Sequence, residues 1–252
     1  VSDMLGMFQT ERLKLKRTMA KKLLFLGPLL VVIHGFMVPQ YLITDAYNWW
    51  YIMIFPGLLT LFAALINTYE EKKLHYRAIF PLPISLRKFW INKVLTLAYY
   101  LTLSSFLHCF ILVLLKYFIF PHYGETYLIS QMLLASMVLL LSVLWQLPFC
   151  LWLAKKLGLV ITVLVNFTAN VILGIAFSTT AYWLLCPYAW SIRLMIPLMK
   201  IYPNGLKAGS EAAAPLLATS NWSIMLSLTL ALILFAGLTW LTALWFEKQE
   251  VK

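Results

Sequence analysis

Residues 82–118 read LPISLRKFWINKVLTLAYYLTLSSFLHCFILVLLKYF, and the join between Lys93 and Val94 decides the fold. Before it stands a short basic segment carrying Phe89 and Trp90, entered through Pro81 and Pro83. After it, Val94–Phe118 runs 25 residues with Lys116 as its one charge. A helix needs about 20 mostly apolar residues to cross a bilayer, so this run reads as a membrane span. The whole chain agrees. Of its 252 residues 62% are hydrophobic and 12% charged, with a mean hydropathy of +0.84. A soluble domain carries about 45–50% apolar and about 25% charged residues.

Working outward from that run, the sequence predicts an all-α integral membrane domain covering residues 1–252, with six transmembrane helices. They are expected at Leu23–Ile43, Trp49–Ile66, Val94–Phe118, Leu128–Leu153, Leu157–Leu185 and Ser223–Phe246. The first is too long for the apolar part of a signal peptide. A seventh apolar stretch, 186–202, holds Pro187, Pro197 and a central Arg193. A charge at a helix centre costs roughly 2.5–3.5 kcal/mol on insertion scales, so this stretch is expected as a re-entrant or interfacial hairpin. No linker, repeat or low-complexity segment divides the chain.

The net charge of +11 does not point to nucleic acid, because the cations sit in blocks between apolar runs, as loop charges do. With six spans both termini share one side. Sixteen of the twenty Lys and Arg residues fall on that side: the N-terminal segment, the loop after the second span, Lys155 and Lys156, and the tail. Lys116, Arg193, Lys200 and Lys207 fall on the other. The positive-inside rule then puts both termini in the cytoplasm, with 183–222 outside.

The N-terminal TERLKLKRTMAKKL, read as one helix, aligns Leu15, Met19 and Leu23 beside Lys14, Arg17 and Lys21. That is an amphipathic surface helix facing anionic lipid. After the prolines, which bar a helix through them, Ser85 is a good N-cap for a short helix over Leu86–Asn92. Leu86, Phe89, Trp90 and Lys93 share one face of it. The segment reads either as a knob for a cytoplasmic partner or as an interfacial helix with Trp90 in the headgroup belt.

Inside the spans ionisable groups are few. His34 and His108 suit either a proton relay or a hydrogen bond between helices. Asn166, Asn170 and Gly174 recur every four residues, a stripe that either lines a pathway or glues helices together. Cys109, Cys150 and Cys186 have no metal-site or disulfide spacing and read as packing residues. No phosphate-binding G-x-x-x-x-G-K-[ST], H-E-x-x-H or G-x-S-x-G motif occurs. Glu70 and Glu71 resemble the paired glutamates of intramembrane CAAX-type proteases, but His75 stands where that motif needs Arg, and Arg77 comes two residues late. An intramembrane hydrolase is therefore set aside. The near absence of carboxylates within the spans argues against a proton-coupled secondary transporter too.

Five stretches in order bear a resemblance to one family. They are ERLKLKRTMAKKLLFLGPLL (11–30), YNWWYIMIFPGLL (47–59), LPISLRKFWINK (82–93), LWQLPFCLWLAKKLGL (144–159) and PYAWSIRLMIPLMKIYPNGL (187–206). Together they resemble the E-type permease subunit of lantibiotic-immunity ABC transporters, of the six-span ABC-2 class. The resemblance implies a chain without a nucleotide site, metal or cofactor of its own, ATP and Mg being held by the partner. The implied partners are two copies of a cytoplasmic ABC ATPase and a second, G-type permease in a Gram-positive cell membrane. The implied cargo is a lantibiotic peptide cleared from the producer's membrane, with another antibiotic or a lipid as the alternative. It further implies that the N-terminal helix is a connecting helix. Pro83, Ser85, Leu86, Arg87, Lys88, Phe89 and Trp90 form the coupling helix seated in the ATPase. The stretch 186–205 forms the external re-entrant hairpin, where Tyr188, Trp190 and Arg193 are candidate substrate contacts beside the Asn166–Asn170 face.

Overall fold

The computed structural model describes residues 2–16, 18–71, 85–121, 126–207 and 219–249. Its α-helices in chain order are α1 (Ser2–Leu15), α2 (Met19–Phe36), α3 (Leu42–Trp49), α4 (Phe55–Tyr69), α5 (Leu86–Leu114), α6 (Ile129–Val143), α7 (Gln146–Ser178), α8 (Ala189–Met199) and α9 (Asn221–Glu247). A 3-10 turn at Pro39–Tyr41 and a π turn at Trp50–Ile54 join α3 and α4 into one apolar column, Pro39–Tyr69. This column is the centre of the molecule. Tyr47, Trp50, Tyr51, Phe55, Leu59 and Phe62 along it are all fully buried.

Five helices among the described residues are long and apolar enough to cross a membrane: Met19–Phe36, Pro39–Tyr69, Leu86–Ile119, Gln146–Ser178 and Asn221–Glu247. The first ends seven residues earlier than expected, because the backbone turns at Met37 and Val38 ahead of Pro39. The expected fourth span, Leu128–Leu153, is interrupted by a two-residue turn at Leu144 and Trp145. Pro148 has no N–H to return to the carbonyl of Leu144, and the helix stops at Val143 and restarts at Gln146.

Gln146–Ser178 is not straight either. Gly158 has φ 82° and ψ 177°, a backbone that favours glycine. In a straight helix Gln146 and Asn166 would stand about 30 Å apart, yet Asn166 Nδ2 donates to Gln146 Oε1 at 2.9 Å. The chain therefore doubles back at Gly158, and the limbs 146–157 and 159–178 lie side by side. Leu144 and Trp145 keep helical dihedrals, so α6 with the limb 146–157 takes the place of the expected fourth span and the limb 159–178 that of the fifth.

The N-terminal segment departs from expectation. It is helical, but α1 ends at Leu15 and Thr18 starts a new helix, its Oγ1 accepting from Lys21 N at 3.3 Å. Leu15 is buried and Met19 is 64% exposed, so the expected Leu15–Met19–Leu23 face does not exist. A local hydroxyl cap overrode an apolar spacing that ran on unbroken through it. Of the expected cation stripe, Arg17 lies outside the described residues, and neither Lys14 nor Lys21 is fully exposed. Lys21 lies over the Tyr100 ring at 5.2 Å, Arg12 over Tyr99 at 5.6 Å, and Lys14 turns inward to carboxylates.

The expected hairpin contains α8, which at 11 residues is about 16 Å long and too short to cross. It packs against α6 and α7. Gly174 admits it: a Cβ there would come within 3.0 Å of the Tyr188 carbonyl oxygen. Lys200 caps α8 in the left-handed region, φ 54°, and a tight turn returns the chain through an Ile201–Lys207 bridge.

Candidate functional site

Two of the polar clusters among the described residues bear on the expected site. The first holds the helical hairpin shut. Gln146 Nε2 donates to Asn170 Oδ1 at 3.0 Å, and Gln146 Oε1 accepts from Asn166 at 2.9 Å and from Asn170 at 2.8 Å. Asn166 Nδ2 also donates to Thr60 Oγ1 at 2.7 Å, and Tyr188 Oη donates to Asn166 Oδ1 at 3.1 Å. Both asparagines are buried and their amides are engaged within the chain. Of the two readings of the Asn166–Asn170 stripe, the structure favours helix-to-helix adhesive over pathway lining.

The second cluster ties α1 to the ends of α4 and α5. Glu70 accepts from Lys14 Nζ at 3.0 Å and, closer still, from Lys93 Nζ, while Glu11 accepts from Lys14. Glu11, Glu70 and Lys93 are all buried. Two carboxylates and two ammonium groups balance. Burial pushes the Glu11 carboxyl up, and neighbouring Glu70 adds to the rise, more than Lys14 and Lys93 take away. Burial acts on Glu70 in the same sense, but Lys93 and Lys14 together hold it below its ordinary value. Paired residues 23 and 56 positions apart leave no pattern in a sequence. Only the i,i+3 spacing of Glu11 and Lys14 is visible in it, and the adjacency of Glu70 to Glu71 points instead to a catalytic pair.

This cluster sits behind the segment expected to couple. Pro81 and Pro83 lie outside the described residues. Ser85 caps as expected, its Oγ accepting from Lys88 N at 3.4 Å. The helix it starts is not a separate short one, however: it continues unbroken from Leu86 through Leu114. Phe89 and Trp90 are buried and face the last helix, where Trp90 stacks on Phe246 at 4.5 Å and donates from Nε1 to Thr242 Oγ1 at 2.9 Å. The expectation that they form an exposed docking face is corrected: in an apolar segment, periodicity identifies a face but not which way it points. Leu86 is half-buried against the core, Arg87 pairs with Glu247 at 2.7 Å, and Lys88 is exposed.

Residues 7–179 match the family described as ABC-2 family transporter protein. The chain belongs to that family. Comparison with curated proteins and with solved structures returns no match. As an ABC-2 permease it is a multi-pass membrane protein that lacks a nucleotide-binding site, and permeases of this kind pair with ABC ATPase subunits. Among the described residues no group of three or more His, Cys, Asp or Glu is placed to hold a metal ion.

In this permease the expected hairpin contacts are not surface groups. Trp190 is buried and donates from Nε1 to the Leu184 carbonyl at 3.0 Å. Arg193 is 7% exposed, donates to the Ser178 carbonyl at 3.2 Å and lies over the Trp183 ring at 5.5 Å. Tyr188 is half-buried, edge-on to Trp145. The charge of Arg193 marked it for the surface, but the carbonyls left over at the end of α7 gave its guanidinium an internal place. The histidines follow the packing reading in part. His34 Nδ1 pairs with Asp45 Oδ2 at 2.6 Å, joining α2 to α3, whereas His108 lies flat on Trp50 at 4.4 Å.

Proposed function

We propose that this permease expels a lantibiotic peptide from the membrane of the cell that makes it, working with a G-type permease and two copies of an ABC ATPase. The observation that carries the reading is the ordered set of five stretches resembling E-type permeases between residues 11 and 206, the first four of which lie within the family match over 7–179. In this reading the peptide is taken from the outer leaflet, both termini and residues 69–93 are cytoplasmic, and ATP closes the partner.

The same reading gives the coupling segment a mechanical role. The ATPase seats on Pro83–Lys88, and the helix starting at Leu86 passes the push directly into a span. Phe89 and Trp90 transmit it sideways to the last helix through Phe246 and Thr242. The charged cluster of Glu11, Lys14, Glu70 and Lys93 makes the three elements at this base move as one body.

The test is co-expression of the chain with its ATPase and partner permease in a sensitive Gram-positive host. Protection against one or more lantibiotics, and none against pore-forming peptides that lack lanthionine bridges, is the expected result. A complex that assembles and hydrolyses ATP yet protects against no member of a lantibiotic panel overturns the cargo.

A further inference from the structure

The end of the molecule away from Glu70 opens into a cleft of about 500 Å3 between the start of the Pro39–Tyr69 column and the turn at Asn204–Lys207. Asp45 and Glu70 are 25 positions apart on a nearly continuous helix, or about 37 Å, so cleft and charged cluster lie at opposite ends. One wall carries Tyr41, Asp45 and Trp49. The Asp45 side chain is 24% exposed, and its Oδ2 is fixed by His34. Trp49, itself 39% exposed, leans on the same imidazole with ring centres 5.2 Å apart.

The cleft is braced from below. Asn48 Nδ2 donates to Tyr51 Oη at 2.9 Å and to the Tyr202 carbonyl at 3.1 Å, and Tyr51 Oη donates to that same carbonyl at 3.2 Å. These bonds pin the turn to the column, so the shape is built before any ligand arrives. The Lys207 ammonium also lines the cleft, 5.6 Å from the centre of the Tyr41 ring and 5.9 Å from that of Tyr127, so an incoming ammonium must displace it from Tyr41. Val38 and Leu206 add apolar surface to the lining, so an apolar body has a place to rest there.

We infer that this cleft binds an ammonium group carried on an apolar body, with Asp45 as its counter-ion and Tyr41 and Trp49 as its aromatic walls. A carboxylate attracts the cation and orients its N–H donors, and the π faces add attraction without needing a fixed hydrogen-bond geometry. The same chemistry is offered by a lysine of a membrane-bound peptide and by an ethanolamine headgroup. The inference deepens the export reading, on which it rests for its biological cargo, by naming the chemistry of what enters first.

Binding is measured on the full chain in maltoside micelles, without ATPase or transport. The probes are a fluorescent lauroyl-trilysine peptide and its lauroyl-triglutamate counterpart. The lysine probe should bind and the glutamate probe should not. Asp45→Asn should weaken the lysine probe by about tenfold or more, as loss of a charge-assisted contact does. Asp45→Glu should restore most of the affinity, and Tyr41→Leu, at a half-exposed ring, covers the case in which Asp45→Asn fails to fold. Added phosphatidylethanolamine that displaces the probe from wild type assigns the cleft to the headgroup, and no displacement assigns it to peptide. Equal binding of the two probes, or unchanged affinity in folded Asp45→Asn and Tyr41→Leu, overturns the inference. Probe binding without lantibiotic protection leaves the cleft standing and removes only the proposed cargo.

Discussion

The Lys93 ammonium donates to the Glu70 carboxylate where the base of one span meets the base of the next, and both side chains are shut away from solvent. Neither group is stable there alone. Removing one partner of a buried ion pair leaves an uncompensated charge, at a typical cost of about 3–5 kcal/mol. Glu70→Gln should therefore lower the thermal midpoint in detergent sharply. Glu71→Gln, whose side chain is 48% exposed, should leave it nearly unchanged. Equal midpoints for the two variants would deny the cluster its structural role.

The pH dependence follows from the sign of the Glu70 shift. Its carboxyl is held below the ordinary value of 4.5, burial being outweighed by Lys93 and Lys14. A lowered carboxylate contributes stability that is present above the unfolded value and lost as pH falls through the folded one. Glu11 is shifted upward and works in the opposite sense, its contribution fading as pH rises through its raised value. Wild type should thus lose stability steeply below pH 4.5, and Glu70→Gln should lack that acid limb. Thermal melts of both proteins from pH 3 to 8 decide this.

Docking and packing separate within one helical turn. Lys88 is exposed, whereas Phe89 is buried against Phe246. Phe89→Ala should destabilise the permease by about 3–5 kcal/mol, as large-to-small changes in cores do. Lys88→Glu should leave the fold intact and reduce recovery of the ATPase when the permease is purified. If Lys88→Glu retains the ATPase in full, docking belongs to other residues.

What was legible in the sequence divides along the range of the contact involved. The apolar runs announced themselves because each is continuous, and Ser85 was readable as a cap because capping is settled within three residues. Thr18 carries the same kind of signal, but the apolar spacing on both sides of it points to one helix. The hairpin bonds of Gln146 with Asn166 and Asn170, the Glu70 cluster and the inward turn of Trp90 all depend on which segments become neighbours. In a bundle apolar on every side, the pattern that marks the inner face of a soluble helix is weak.

Gly158 sets the hairpin, and its backbone lies in a region other residues enter only with strain, about 1–3 kcal/mol. Space is not the obstacle, since a Cβ at Gly158 would meet nothing within 4 Å. Gly158→Ala should therefore destabilise through its backbone alone. Asn166→Leu should destabilise by a different route, taking one of two donors from the Gln146 side-chain carbonyl and the acceptor from the Tyr188 hydroxyl, for about 1–3 kcal/mol. Melts of both variants should fall, and a neutral Gly158→Ala would mean that the reversal relaxes elsewhere.

The last prediction separates the buried hairpin from the cleft. Arg193 donates to the Ser178 carbonyl and is almost wholly enclosed, so it has no free face for a peptide. Replacing it with Leu removes that bond and the cation above Trp183, which loosens α8 against the end of α7. The whole permease then suffers, whatever it carries. Protection against a panel of related lantibiotics, at matched expression, should fall by the same factor for each in Arg193→Leu. Asp45→Asn touches a partly exposed carboxylate at the cleft, so its effect should follow the charge of each peptide and be greatest for those richest in lysine. Unequal losses in Arg193→Leu, with Asp45→Asn unchanged, would return recognition to the segment around α8.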